Sequence, residues 1–240
     1  MESWQSRTEL CLGVEGIKKL RSSNVLVVGI GGVGAYAAEM ICRAGIGKLT
    51  IVDGDVITSS NRNRQLPALL STIGLPKAEV MAIRLRDINP ELDLSVIQEY
   101  ITDERIIEIL DRRFDYVVDA IDTLTPKVYL IYRSLQKGLK VVSSMGAGGK
   151  LDPTQVEIAD ISDTTDCKLA RILRKRLHRL GVWDGFKAVY SRELIEKERV
   201  TTIEGERNKA SVVGTISYMP ASFGIACASV VIRDLSKNNI

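Results

Sequence analysis

The sequence predicts a doubly wound α/β fold: a mainly parallel, Rossmann-like sheet with helices on both faces and a C-terminal strand–helix extension. Short apolar, β-branched runs alternate with amphipathic stretches of helical spacing, which is typical of a parallel sheet buried by its crossover helices. The first run, residues 25–28, leads directly into a glycine-rich segment, residues 29–34, and then into the helix-forming residues 35–43. A strand, a glycine turn and a helix in that order are typical of a nucleotide-binding unit.

The glycine-rich segment has the form Gly-x-Gly-Gly-x-Gly. Gly29 suits a tight turn, and Gly34 lets the helix pack close to the strand. Gly31 and Gly32 let backbone N–H groups approach a phosphate, which would face the positive end of the helix. A purely structural turn is the alternative, but the position of the glycines between a buried strand and a helix favours nucleotide binding.

Length and composition limit the class of protein. A chain of 240 residues is long enough for one large α/β domain, and no linker, low-complexity tract or repeat divides it, so we expect one domain over residues 1–240. We find no signal segment and no apolar run that could cross a bilayer, and therefore expect a cytoplasmic protein without a membrane partner. The four cysteines form no Cys-x-x-Cys pair, which argues against a zinc knuckle or a disulfide framework. The net charge of +3 does not by itself indicate a nucleic-acid partner.

Periodicity then predicts the elements in chain order. The predicted strands are residues 25–28, 48–53, 94–97, 116–118, 140–144 and 155–160, with a strand-like stretch at 210–219. The predicted helices are residues 6–20, 35–43, 77–88, 105–110, 126–136, 168–179 and an apolar last helix that begins at Pro220. In the first helix, Leu10, Val14, Ile17 and Leu20 are expected to share one face, and Arg7 lies at its edge.

Polar side chains cluster after the second predicted strand. Asp53 lies about 20 positions after the last glycine, where a Rossmann-type unit places an acid against ribose hydroxyls. The residues that follow add donors and cations beside the phosphate site, namely Asn61, Arg62, Arg64 and Lys77. Because a triphosphate carries more charge than a pyrophosphate, this cluster favours ATP over NAD. A polar loop with helix-capping side chains is the alternative.

Two further segments follow predicted strand ends. Residues 119–122 read Asp-Ala-Ile-Asp, and ligand groups collect at the carboxyl ends of parallel strands, so Asp119 and Asp122 are both candidates for the site. The Asp122 carboxylate could hold Mg²⁺ between phosphates, or it could only cap the next helix. A second glycine-rich loop, residues 146–150, is expected to wall the same pocket.

Residues 168–179 carry cations without any acid: Lys168, Arg171, Arg174, Lys175, Arg176 and Arg179. Leucine and isoleucine recur among them at helical spacing, which predicts a basic amphipathic helix. Its cations could bind the phosphate backbone of a nucleic acid, or they could form a solvated face. His178, the only histidine, has no neighbours for a zinc site or a catalytic triad, and we interpret it as a surface residue.

In order and spacing, these motifs resemble the HesA/MoeB/ThiF adenylating family, which includes the ubiquitin-activating enzymes and the bacterial activators of sulfur-carrier proteins. The resemblance covers residues from about 6 to 150. It rests on the glycine segment, Asp-x-Asp, Ser-Asn-x-Asn-Arg-Gln, the downstream lysine and Asp-Ala-Ile-Asp. Residues 146–155 are similar to the branch of the family that acts on threonylcarbamoyladenosine in tRNA, and that similarity extends over nearly the whole chain.

The resemblance implies ATP and Mg²⁺ as cofactors and a homodimer as the working form. It implies that the ribose and triphosphate contacts come from Asp53, Asp55, Asn61, Arg64 and Lys77. Asp122 matches the acid that acts with Mg²⁺, and Arg7 matches an arginine that each subunit donates to its partner's active site. The implied catalytic set is therefore Arg7, Arg64, Lys77 and Asp122, and a tRNA substrate would make Arg171, Arg174, Lys175, Arg176 and Arg179 its binding set.

The implied reaction adenylates the carboxylate of threonylcarbamoyladenosine beside the anticodon, after which an internal nitrogen displaces AMP and closes a ring with net loss of water. A sulfur or redox partner protein is a further candidate. The sequence departs from the carrier-protein activators, since it has no Cys-x-x-Cys pairs, and residues 208–211 lack the cysteine that some relatives carry there. The alternatives are an activator of a ubiquitin-like sulfur carrier, a non-catalytic nucleotide-dependent RNA-binding protein and, least favoured, an NAD dehydrogenase.

Overall fold

The computed structural model describes residues 3–202 and 211–237. Within these ranges the strands are β1 (Asn24–Val28), β2 (Lys48–Val52), β3 (Asp93–Ile97), β4 (Tyr116–Asp119), β5 (Lys140–Ser144), β6 (Val156–Asp160), β7 (Lys187–Ser191), β8 (Val200–Thr202) and β9 (Ser211–Val213). The α-helices are α1 (Ser6–Ser22), α2 (Gly34–Arg43), α3 (Lys77–Ile88), α4 (Asp103–Leu110), α5 (Leu124–Gln136), α6 (Lys168–His178) and α7 (Tyr218–Ser236). None of these helices combines the length and the apolar character that a membrane span requires.

The main sheet has seven strands in the order β3-β2-β1-β4-β5-β7-β6, while β8 and β9 pair separately. Neighbouring strands in this sheet run parallel, except for β6 and β7, which run antiparallel. This confirms the predicted mainly parallel sheet. Because the chain moves from β1 to β2 in one direction and later adds β4 on the other side of β1, the strand order reverses between β1 and β4. In open α/β sheets, ligands bind at the carboxyl ends of the strands at such a reversal.

Helices cover both faces of the sheet, as predicted. Residues of α1, α2, α3 and α7 form one apolar core with the sheet, and residues of α4, α5 and α6 form the other. Strand β1 contributes to both cores, since Val25 and Val27 belong to the first and Leu26 and Val28 to the second. A continuous apolar run is therefore needed in this strand, because successive side chains point to opposite, equally buried faces.

Helix α1 differs from the prediction at its midpoint. Gly13 has φ +72° and interrupts the helical backbone, so the two halves of α1 do not share one continuous face. Ile17 and Leu20 are buried as expected, whereas Leu10 is 88% exposed and Val14 is exposed as well. The prediction of one apolar face was wrong because helical periodicity assumes a straight helix.

Two elements near the C-terminal part of the chain also differ. Strand β7, which lies between β5 and β6 in the sheet, is absent from the strands predicted by periodicity. Within the described part of the stretch 210–219, only Ser211–Val213 forms a strand, and α7 begins at Tyr218, before Pro220. A proline is tolerated in the first turn of a helix because no intrahelical partner exists there for its missing N–H.

Candidate active site

The glycine loop, residues 29–34, lies at the reversal between β1 and β4. Gly29 has φ +89°, and a Cβ on it would lie 2.7 Å from the carbonyl oxygen of Ala120, which follows β4. A Cβ on Gly34 would lie 1.7 Å from the Gly29 carbonyl oxygen. These two positions therefore require glycine for backbone packing, because any side chain would separate β1 from α2 or from β4.

Gly31 has a different environment. The nearest atom to a Cβ placed on it is the side-chain nitrogen of Gln65, 3.7 Å away, so intramolecular packing does not require a glycine there. At Gly32 a Cβ would lie 2.9 Å from Pro220 of α7. No side chain caps α2 at Val33, and its first turn has no acid. The amino end of α2 thus offers backbone N–H groups and a positive dipole to an anion.

Asp53 is held against this loop by two backbone amides. Its Oδ2 accepts a hydrogen bond from the Ile30 amide at 2.6 Å, and its Oδ1 accepts one from the Asp55 amide at 2.8 Å. Burial raises the pKa of the Asp53 carboxyl, while the Asp55 amide and the charge of Lys77 oppose that rise. Each oxygen keeps further acceptor capacity, so the carboxylate can still receive a hydroxyl donor at the edge of the loop.

Lys77, at the start of α3, is buried and paired with Asp55. Its Nζ lies 2.6 Å from Asp55 Oδ2, and the Tyr100 hydroxyl donates to Asp55 Oδ1 at 2.6 Å. The bond to Asp55 raises the pKa of Tyr100 to about 12. Asp55, predicted as a nucleotide ligand, is in this structure the counter-ion of Lys77. Tyr100 was missed, because nothing in its local sequence indicates a partner 45 residues away.

The segment between β2 and α3 places the other predicted phosphate contacts. Asn61 is buried, and its Oδ1 accepts a hydrogen bond from the Thr58 amide at 3.1 Å, so this side chain shapes its own turn. The Arg64 guanidinium is half-buried and donates to the Ser60 carbonyl at 3.0 Å. Gln65 is buried beside Gly31, and its Oε1 has no hydrogen-bond partner among the described residues. The Arg64 carbonyl oxygen lies 3.5 Å from a Cβ placed on Gly32, so Arg64 and Gln65 both adjoin the glycine loop.

Asp119 does not face this site. Its carboxylate and the ammonium of Lys127 are both 0% exposed and lie 2.5 Å apart. The Ser143 hydroxyl also donates to Asp119 Oδ2 at 2.5 Å, and Lys127 Nζ donates to the Ser144 carbonyl at 2.9 Å. The expectation that Asp119 reaches a ligand was wrong, because its side chain points into the interior, where Lys127 neutralises its charge.

The buried pair instead fixes the loop that carries Asp122. Asp119 Oδ1 accepts a hydrogen bond from the Ile121 amide at 3.1 Å, directly before Asp122. Lys127 was not predicted, although the sequence contains one signal for it. Lys127 shares the buried face of α5 with Leu130, Ile131 and Ser134, and a lysine on such a face needs a counter-charge.

Asp122 itself is exposed, in the loop that joins β4 to α5. The N-cap of α5 is Thr123, which makes no side-chain capping hydrogen bond, and Asp122 directly precedes it. Among the described residues, no group of three or more acids, cysteines and histidines could form an all-protein metal cage. A lone carboxylate still suits Mg²⁺, which commonly takes one or two carboxylates and fills its octahedron with phosphate oxygens and waters.

The second glycine-rich loop packs against β9 and the residue after it. The Gly149 amide donates to the Gly214 carbonyl at 2.7 Å, and a Cβ on Gly148 would lie 3.1 Å from Val213. Lys150 is buried and donates to the Ser191 and Glu193 carbonyls. Burial lowers the pKa of its ammonium. This lysine thus anchors the loop to the end of β7.

Arg7 lies apart from the other predicted catalytic residues. It is exposed in the first turn of α1. Gln5, two residues earlier, packs against Gly45 and accepts a hydrogen bond from Arg21 at 2.9 Å. Gly45 precedes β2, so this contact lies at the amino edge of the sheet, opposite the edge that carries the glycine loop.

The cations of α6 divide into two groups. Exposed guanidinium and ammonium groups belong to Arg171, Lys175, Arg176 and Arg179. Arg174 is half-buried and donates to the carbonyls of Ile161 and Thr164. Its Nη1 is thus engaged within the chain, and its contact with tRNA stays a prediction. The Arg176 guanidinium donates to Thr125 Oγ1 at 3.3 Å, which places the basic face beside the first turn of α5.

A model of the ThiF family matches residues 5–240. The chain belongs to the ThiF family. This ThiF-family chain is 39% identical to the tRNA threonylcarbamoyladenosine dehydratase of Bacillus subtilis, over 97% of this chain and 94% of the relative. The crystal structure of E. coli tRNA N6-threonylcarbamoyladenosine dehydratase in complex with ATP has a TM-score of 0.87 and 34% identity, covering 98% of this chain and 96% of that one. Its complex with AMP gives the same TM-score, identity and coverage.

Proposed function

We propose that this chain is an ATP-dependent adenylating enzyme that cyclises and dehydrates threonylcarbamoyladenosine in tRNA, working as one domain over residues 1–240. One observation carries the proposal: the chain matches, along 98% of its length, a dehydratase whose crystal complexes contain ATP and AMP. ATP is the substrate of a carboxylate adenylation, and AMP is the leaving group when a nucleophile then attacks the acyl adenylate. The cluster around the glycine loop supports the same chemistry, because it offers cations and backbone N–H groups for a triphosphate.

The proposed reaction has two steps. First, a carboxylate oxygen of the threonylcarbamoyl group attacks the α-phosphorus of ATP, and pyrophosphate leaves with the electrons of the broken P–O bond. Second, an internal nitrogen attacks the acyl carbon, AMP leaves, and the nitrogen loses its proton. One oxygen of the original carboxylate departs on AMP. Together with the proton lost from the nitrogen, this amounts to loss of one water from the modified nucleoside. A free carboxylate is a poor electrophile, and adenylation supplies the missing leaving group.

In this mechanism the protein neutralises charge and positions the reactants. Lys77 exchanges Asp55 for a phosphate oxygen when ATP binds, and Arg64 turns towards the same phosphates. Asp53 receives the ribose hydroxyls. The Asp122 carboxylate would hold Mg²⁺, which when bound neutralises phosphate charge and supports departure of pyrophosphate.

The direct test is mass spectrometry of tRNA nucleosides after incubation of the purified protein with ATP and tRNA that carries threonylcarbamoyladenosine. We expect loss of one water from the modified nucleoside and release of one AMP for each event. AMP release that responds to a ubiquitin-like carrier protein but not to modified tRNA would favour the sulfur-carrier activator. Tight binding of ATP and tRNA without any AMP release would favour a non-catalytic RNA-binding protein.

We further propose a homodimer with shared active sites. Apolar side chains are exposed in the segment that leads to Lys77, namely Leu69, Leu70, Ile73 and Leu75, and on α1, namely Leu10 and Val14. Exposed apolar side chains on two separate segments suit burial by a second copy. Arg7 lies near the amino edge of its own sheet, so contact with a triphosphate is most easily made in a partner subunit.

Mixed dimers test the shared site. Arg7→Ala and Lys77→Ala homodimers are each expected to lose AMP release, but a mixture should recover up to a quarter of wild-type activity. Random exchange makes about half of the dimers hybrid, and one of the two sites in each hybrid is intact. AMP release should be measured after subunit exchange is verified with two affinity tags. Lys18→Ala, another exposed cation on α1, is the matched control and should remain active; exchanged but inactive mixtures would contradict the shared site.

We propose that the exposed cations of α6 hold the tRNA. Reversal of Arg171, Lys175 and Arg179 to Glu should weaken tRNA binding and flatten its dependence on salt. Fewer phosphate contacts form in this variant, so binding releases fewer counterions. ATP affinity should not change, since the glycine loop lies elsewhere. Arg174 is kept in this variant because it bonds Ile161 and Thr164.

The matched control reverses three exposed cations on other elements, Lys18, Lys48 and Arg86, and so changes the net charge by the same amount. Binding should be measured by filter retention over a range of salt concentrations. An equal loss of affinity in both triple variants would show that net charge causes the effect. An unchanged salt slope in the α6 variant would show that the cations of this helix face solvent and do not contact tRNA.

Because the proposed substrate is a tRNA, we expect the reaction to take place in the cytoplasm. A sulfur or redox partner protein would find most of the cysteine thiols of this chain inaccessible. Cys42, Cys167 and Cys227 are buried, and only Cys11 among the four cysteines is exposed. Burial raises the pKa of Cys42 to about 11 and that of Cys227 to about 12, which suppresses their reactive thiolates. Any such partner would therefore engage Cys11 or a surface other than a thiol.

A further inference from the structure

A stacked pair of aromatic rings lies just beyond the C-terminal end of α6. The imidazole of His178 and the indole of Trp183 have centroids 4.1 Å apart and planes 29° apart. Trp183 is nevertheless 62% exposed, so the histidine covers one face of the indole and leaves the other towards water. A large aromatic surface is thus held in a defined orientation by the stack and is mostly open to solvent.

The helix that carries His178 is basic. It presents Arg171 and Lys175 to solvent and carries no acid, and Arg179 follows it as an exposed cation. Two acids lie on the other side, since Asp184 follows Trp183 and Asp160 accepts a hydrogen bond from the Gly185 amide. Unpaired RNA combines the complementary groups, because each base has a face for stacking and each linkage has a phosphate for a cation. A double helix lacks this combination, since its base faces are covered by their neighbours.

We infer that the His178–Trp183 pair is a stacking platform for an unpaired base of the tRNA substrate, outside the adenylation site. This inference rests on the proposed function, which names tRNA as the partner. The Arg176–Thr125 contact joins α6 to the first turn of α5, three residues after Asp122. The 11 residues of α6 span about 15 Å. A base on Trp183 therefore belongs to the same single-stranded loop as the reacting nucleotide, a few positions along the chain.

Trp183 fluorescence tests this directly. In a Trp4→Phe background Trp183 is the only tryptophan, and titration with tRNA should quench its emission. A short single-stranded RNA should quench it too, whereas double-stranded RNA of equal length should not. Trp183→Ala should weaken tRNA binding about 10-fold without changing the salt slope, because stacking releases no counterions, and Trp183→Phe should restore part of the affinity.

Trp4→Ala is the matched control, because Trp4 is similarly exposed, at 53%, but lies before α1. Thermal unfolding shows whether Trp183→Ala keeps its fold, and the quenching experiment does not depend on that variant. Unquenched Trp183 emission in a saturated tRNA complex would overturn the inference, as would equal quenching by duplex RNA. Both results leave AMP release from modified tRNA intact, so they are distinguishable from failure of the proposed function, in which the wild-type protein releases no AMP.

Discussion

Asp122→Ala is expected to reduce AMP release by about 100-fold to 1,000-fold, the usual effect of removing one group that stabilises developing charge in an active site. Asp122 is exposed, and the Asp119–Lys127 pair holds the neighbouring loop from behind. The free energy of unfolding should therefore stay within about 0.5 kcal/mol of wild type. AMP release with modified tRNA and urea denaturation together measure the two effects.

Asp122→Asn separates charge from shape, because the amide keeps the size of the side chain and loses its negative charge. We expect it to be nearly as inactive as the alanine variant. Asp93→Ala removes an exposed carboxylate from the opposite edge of the sheet, where it makes only a 3.6 Å surface pair with Lys48, and should leave AMP release unchanged. Wild-type turnover in Asp122→Asn would remove this carboxylate from the mechanism.

Lys127→Met is expected to lower the free energy of unfolding by about 3–5 kcal/mol. The substitution leaves the Asp119 carboxylate fully buried, with the Ser143 hydroxyl and the Ile121 amide as its donors but without a counter-charge. Methionine has a similar length and fills the space of the lysine stem, so the loss comes mainly from the unpaired charge rather than from a cavity. Urea denaturation followed by circular dichroism measures it.

Two controls isolate the buried charge. Lys137→Met removes a cation from an exposed pair with Asp111 and should cost less than about 1 kcal/mol. The double variant Lys127→Met with Asp119→Leu should recover much of the lost stability, because residues in one contact couple non-additively. If Lys127→Met and Lys137→Met were equally stable, the Asp119–Lys127 pair would not hold this part of the core.

Much of the fold follows from sequence-local features. Continuous apolar runs predict strands that are buried on both faces, and β1 meets this condition by sending Val25 and Leu26 into different cores. Helix α3 begins and ends where its pattern predicts, since Pro76 precedes its first turn and Asn89 follows its last residue. The turn at Gly29 is also predictable locally, because φ +89° favours glycine, although the close approach of the Ala120 carbonyl is a tertiary contact.

The partners of the polar side chains were decided only by the tertiary structure. Asp119 and Asp122 are equivalent in the sequence, yet one is buried against Lys127 and the other is exposed, because the sheet places Ser143 of the neighbouring strand beside Asp119. Arg174 and Arg171 also look alike, but Arg174 donates to the carbonyls of Ile161 and Thr164 in the turn that follows β6. Periodicity determines which face of an element a residue occupies, whereas the group opposite that face comes from a distant part of the chain.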